Sequence, residues 1–157
     1  MSADLAALLE RVRKASGPDR RLDSEIACAL VFANHRPAEP NDFEGKYGYS
    51  PGNIKCNLGF IMADPYTSSI DAAVALVARA KPGWFWRGGH VPIPHWDGQQ
   101  YRDCWAHLSR TDASNCIRGD EATGWHDTVP LSIIDALLQA KIAEAALLSA
   151  LDTGSGR

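Results

Sequence analysis

Cys104 and His107 stand three positions apart, with Cys116 and His126 downstream, so four potential metal donors fall within one stretch of chain. Thiolate sulfur and imidazole nitrogen are the donors of a tetrahedral zinc site. The spacing argues against that chemistry. Zinc sites favour a tight pair of ligands on each side, and if 104–108 is a strand, Cys104 and His107 point to opposite faces. The expectation is therefore no metal, with Cys104 a buried thiol and His107 a surface imidazole, and a zinc-dependent hydrolase on Cys104, His107, Cys116 and His126 as an alternative. His90 and His95 flank a proline-containing loop near Trp96 and Asp97, a base with a carboxylate to orient it. A nucleophile would have to come from Ser68, Ser69, Ser109 or Cys116, none of which sits in a G-x-S-x-G elbow. No catalytic residue is assigned.

The aromatic side chains carry a better lead. Trp84, Trp86, Trp96, Trp105 and Trp125 share the second half of the chain with Arg87, Arg102, Arg110 and Arg118. Such a set can stack a ring and pair an anion. The commoner use of tryptophan is to fill the core between sheet and helices. Tyr66, Trp86, Arg87 and His90 are the candidate ligand-binding residues.

Elements must hold these groups in place. Leu5, Leu8, Leu9 and Val12 recur at i, i+3, i+4 and i+7, which predicts a helix starting near Ser2. Ser16-Gly17-Pro18 ends it, Asp19 caps a second, and Leu22, Ile26 and Leu30 form that helix's apolar stripe. Residues 36–57 hold three prolines, three glycines and three asparagines in 22 positions, which predicts a long ordered loop. Ser68 as N-cap with Asp71 three residues on starts a third helix, its core face Ile70, Ala73, Val74 and Val77, and Pro82-Gly83 stops it. Trp84-Phe-Trp-Arg87 between glycines predicts a strand with the two tryptophans on one face, and 104–108 its partner. Residues 110–127 carry a net charge of −2 and are expected to be a solvated loop. Pro130 in a first turn opens the last helix, with Leu131, Ile134, Leu138, Ile142 and Ala145 along one face.

Bulk properties bound the rest. A chain of 157 residues suits one domain, placed at 1–151 with 36–57 as an inserted loop and 152–157 as a flexible tail. No stretch reaches the roughly 18 apolar residues that spanning a bilayer needs, and no export signal opens the chain. The four cysteines form no C-x-x-C pair, so no structural disulfide is expected and the thiols fit a cytosol. A formal charge of −3 disfavours binding to nucleic-acid backbones.

Four segments taken together resemble the phage ABA sandwich domain, a family of phage and prophage proteins: Leu8 to Leu30 (LLERVRKASGPDRRLDSEIACAL), Asp64 to Val77 (DPYTSSIDAAVALV), Pro82 to Gly89 (PGWFWRGG) and Thr128 to Leu138 (TVPLSIIDALL). With 104–122 they cover most of the chain in the same order. The resemblance implies an α+β fold, a three-layer α-β-α sandwich with a small, mainly antiparallel sheet. It implies a phage or prophage accessory protein in the bacterial host cytoplasm and carries over no reaction, no cofactor and no catalytic residue. The expectation is a non-enzymatic binding protein whose partner is a host or phage protein or a small ligand, with a homo-oligomer left open. Sequestration of a nucleotide-like ligand against host defence, the zinc hydrolase above, and a virion assembly component are the alternatives.

Overall fold

Leu5, Leu8, Leu9 and Val12 are all buried, so the apolar stripe is the core face of α1 (Ser2–Lys14). Helix α2 (Arg20–Leu30) begins where Asp19 Oδ1 accepts the Leu22 amide at 2.9 Å, and buries Leu22 and Ile26. This computed structural model describes residues 2–43, 48–90, 103–110 and 121–154. His95, Trp96, Asp97, Arg102, Cys116 and Arg118 lie outside them, as do residues 155–157 of the expected tail.

Asp23 in α2 is fully buried. Its carboxylate accepts from Arg20 Nη1 at 2.6 Å and from the Thr67 amide at 2.7 Å, while Arg20 Nη2 donates to Ala63 O at 2.5 Å. Burial raises its pKa, and the bonds from Thr67 and the charge of Arg20 oppose that shift. These bonds fix the start of α2 to residues 63–67.

The expected loop at 36–57 is corrected by the structure, because β1 (Arg36–Pro37) and β2 (Asn53–Cys56) pair antiparallel within it. Strand β3 (Gly59–Met62) continues the ladder, giving a sheet of order β1-β2-β3 with α2 packed on β1 and β2. Fully buried Ala38 and Ile54 anchor it to the core. A 3-10 turn at Pro40–Asp42 lies between β1 and β2. There Asp42 accepts from Arg36 at 2.6 Å and from Lys55 at 2.7 Å, and the Arg36 guanidinium holds its carboxyl well below the usual carboxylate range.

Helix α3 (Ile70–Ala80) starts one residue later than expected, with Ser69 as the N-cap accepting from the Ala72 amide. The amides of Ser68 and Ser69 both donate to Pro65 O, at 3.1 and 2.9 Å, so the turn before the helix claims Ser68. The phase shifts with it: Ala73, Leu76 and Val77 are buried, and Ile70 is exposed.

The second sheet has order β4-β5-β6 and is antiparallel throughout. Strand β4 (Trp84–His90) pairs with β5 (Cys104–Arg110), Trp86 opposite Leu108, and both Trp84 and Trp86 pack on the core. The solvated loop expected over 110–127 is corrected across its last part, since β6 (Glu121–His126) is a strand with Ala122, Gly124 and His126 buried, while residues 111–120 lie outside the described ones. Helix α4 (Val129–Gly154) covers this sheet and is buried from Pro130 through Leu138 without a break. Its other sides pack on α1 and α3. The fold is therefore the expected α+β sandwich, with its strands divided between two sheets. No helix among the described residues is long and apolar enough to cross a membrane.

Two buried polar groups hold α4, β6 and α1 together. Asp135, 3% exposed, accepts from Arg13 Nε at 3.1 Å, from the Trp125 amide at 3.1 Å and from Gln139 Nε2 at 3.3 Å. His126 Nε2 bonds to Val12 O at 2.9 Å, while Nδ1 accepts from the Asp127 amide at 2.8 Å. Nε2 therefore carries the proton, which fixes the neutral tautomer.

Candidate ligand-binding face

Alternation along β4, β5 and β6 sends Trp84, Trp86, Cys104, Ala106, Leu108, Ala122, Gly124 and His126 toward α4. The opposite face of the sheet carries Phe85, Arg87 and Gly89 from β4, Trp105, His107 and Ser109 from β5, and Glu121, Thr123 and Trp125 from β6. Register arranges these in rows: Arg87 opposite His107 opposite Thr123, and Gly89 opposite Trp105 opposite Trp125. Phe85 is 58% and Trp125 37% exposed, so the face offers aromatic surface to solvent.

Gly89 determines the shape of that face. A Cβ built on it meets nothing within 4 Å, so the floor beside Trp105 is open over backbone. Arg87, two residues back on the same side, is exposed and makes no ion pair with the described residues. His107 lies across from it with its ring held in place: Nδ1 is 2.9 Å from Thr123 Oγ1 and Nε2 is 3.5 Å from Glu121 Oε2. Its side chain is 14% exposed, more enclosed than the surface imidazole expected, because Thr123 and Glu121 flank it from β6. Hydroxyl, imidazole and carboxylate stand in the order of a nucleophile, its base and an orienter. The carboxylate of Glu121 is mostly in solvent and beyond hydrogen-bond distance, so Thr123 orients the imidazole and His107 Nε2 is left buried without a hydrogen bond.

The four expected ligand residues are not brought together. Trp86 faces the core, Arg87 faces out, and His90 is exposed at the end of β4. Tyr66 is 1% exposed, its phenol pKa pushed up to about 12 by burial and by nearby Asp64. Of the weighed metal set, Cys104 lies on the α4 face and His107 on the opposite one, and both ring nitrogens of His126 bond to backbone. Burial raises the Cys104 thiol pKa. No cluster of three or more His, Cys, Asp or Glu suited to a metal ion forms among the described residues. Trp105, Trp125 and Thr123 were not singled out as a group, because their adjacency depends on β6 being a strand. The signal was present as the alternation of Glu121, Thr123 and Trp125 with Ala122, Gly124 and His126.

Among the described residues, a concavity of about 500 Å³ between α1 and α2 is a rival surface, lined by Leu8, Cys28, Ala29 and His35. Its charges are already matched, since Arg11 pairs with Glu25 across it. Burial holds the Cys28 thiol pKa up at about 11, so it is no nucleophile at neutral pH.

No family model matches the chain, and no curated protein does. Among solved structures, a phage protein from Bacillus cereus ATCC 14579, determined as a crystal structure at 2.0 Å, is similar with a TM-score of 0.46 and 12% identity, over 81% of this chain and 91% of that one.

Proposed function

We propose that this chain is a phage- or prophage-encoded binding protein that takes a ring-bearing anion, a nucleotide-like molecule, on the outer face of the β4-β5-β6 sheet. The phage setting and the host cytoplasm rest on the resemblance of segments 8–30, 64–77, 82–89 and 128–138 to the ABA sandwich domain. The ligand class rests on one observation: an open glycine floor at Gly89 lies beside Trp105, with the exposed Arg87 guanidinium on the same face. A flat ring laid on that floor contacts an indole, and stacking of this kind contributes about 1–3 kcal/mol per base. Arginine's planar fork suits phosphate oxygens, and such charge-assisted bonds are among the stronger ones available. The chain's net negative charge acts against a long polyanion and much less against a ligand of one or two phosphates.

Titration calorimetry with adenosine and guanosine mono- and diphosphates tests the reading on wild type, Arg87→Ala and Trp105→Ala. Binding is expected for wild type, weakened about tenfold or more by Arg87→Ala. Trp105→Ala is expected to weaken mononucleosides and nucleotides alike, since it removes the stacking surface. Absence of binding by every nucleotide, or affinity that both variants leave unchanged, would overturn it.

A further inference from the structure

Beyond Leu138 the long helix leaves the core, yet its apolar pattern continues. Leu147, Leu148 and Leu151 are 64%, 60% and 70% exposed, two adjacent leucines and a third one turn further along α4. Beside them lies a cavity of about 390 Å³ whose walls include Leu5, Ala29, Leu30, Ala33, Ala145 and Leu148. A convex leucine ridge thus adjoins a concave apolar hollow on one surface of one chain. A ridge beside a hollow can fit a second copy of itself under a two-fold rotation, the geometry of an isologous dimer.

We propose that a second copy of this chain covers this surface, with the two α4 helices antiparallel along their C-terminal halves. Lys141, Ala145, Leu148 and Asp152 recur at intervals of four, three and four, so they form one stripe on the helix. The antiparallel register that sets Lys141 against the partner helix's position 152 sets Leu148 against position 145. In the same register Leu151, about 90° round the helix from that stripe, flanks the seam, and Leu147, about 130° round, lies at its rim. Large residues face small ones at the centre, which lets the helices approach closely. The charges agree. Lys141 and Lys81 share the single carboxylate of Glu144, at 2.5 and 3.2 Å, whereas Asp152 makes no ion pair among the described residues. Lys141 also lines the hollow.

The span from Lys141 to Asp152 is about 17 Å of helix. Its leucine ridge alone falls short of the roughly 800 Å² per partner that a stable interface buries, and the walls of the hollow on α1 and α2 supply the remaining contact. This surface is built from α1, α2 and α4, so the ligand face, on the side of the β4-β5-β6 sheet away from α4, stays accessible in the dimer.

Analytical ultracentrifugation of the intact chain tests this, with circular dichroism melting of each variant to verify its fold. Wild type is expected to dimerise, with a melting point that rises with concentration, and Leu148→Asp to be monomeric and to melt cooperatively at the temperature of dilute wild type, since Leu148 is exposed in the single chain. Asp152→Lys and Lys141→Asp are each expected to weaken the dimer about fivefold, and the double variant to recover to within about twofold of wild type. A wild-type chain that stays monomeric at about 100 µM overturns the proposal. So does a dimer that Leu148→Asp leaves intact, or a charge exchange that fails to recover association.

Discussion

Alanine at position 124 should be one of the costliest single-methyl additions to this chain. A Cβ there would stand 2.5 Å from Ala136 N and 3.0 Å from Asp135 Cβ, and closer still to Ser132 O. Two of these atoms are α4 backbone, which cannot turn aside as a flexible side chain would. Retreat of the helix would stretch the Trp125 amide bond to Asp135, now 3.1 Å. Overpacking costs about 1–3 kcal/mol in ordinary cores, and rigid backbone on the receiving side places Gly124→Ala near about 3 kcal/mol. For a chain of this size each kcal/mol is about 2–4 °C in Tm, so the melting point should fall by about 6–12 °C. Gly89→Ala on the same sheet is the control, because nothing lies within 4 Å of its Cβ; its melt should stay within about 2 °C of wild type. Scanning calorimetry of both variants decides. Melting points within about 2 °C of each other would refute the claim that β6 and α4 meet through a glycine gap.

Three further outcomes are expected. The folded chain raises the Tyr66 pKa from 10.0 to about 12, so the neutral phenol favours the fold. That contribution is complete below pH 10 and lost as pH rises toward 12, and Tyr66→Phe should flatten the denaturation profile across that interval; an unchanged alkaline slope would contradict it. Cys28, its pKa held at about 11, should alkylate about a hundredfold more slowly than free cysteine at neutral pH, read by mass spectrometry of its peptide, and equal rates would count against the burial argument. His126→Leu removes the imidazole's bonds to the Val12 carbonyl, which keeps its bond from the Ala15 amide at 3.1 Å, and to the Asp127 amide, so a loss of about 1–3 kcal/mol in urea titration is expected, and a loss below about 0.5 kcal/mol would show that the buried imidazole is no tie.

The helices were readable because their signals are local. Leu5, Leu8, Leu9 and Val12 repeat with the helical period, Asp19 caps where a cap was expected, and the Trp84-Phe85-Trp86 alternation marks β4. Three of the strands that the sequence did not reveal have a physical reason. Strand β1 is two residues long and includes Pro37, and β2 is four residues with Asn53 and Lys55 in it, so no period can develop. Strand β6 hid because its inward residues are Ala122, Gly124 and His126, small or polar where hydrophobic bulk would normally reveal a buried face. They are small because α4 lies so close, a fact about tertiary packing that the strand's own hydropathy does not carry. Losing β6 also scattered the site. Arg87 was recognised from its neighbours, but the row from Gly89 through Trp105 to Trp125 exists only once three strands are in register. Tyr66, read as a ligand residue, has the composition of a binding tyrosine and the burial of a core one.

The central claim concerns which face of the sheet binds. Its most direct measurement is the movement of the tryptophan indole N–H resonances on titration with adenosine diphosphate, each resonance assigned by a single Trp→Phe variant. Trp105 and Trp125 should shift with saturable dependence on ligand, while Trp84 and Trp86, packed on the core side, should hold still. Movement confined to Trp84 and Trp86, or no movement of any indole at millimolar ligand, would contradict the account.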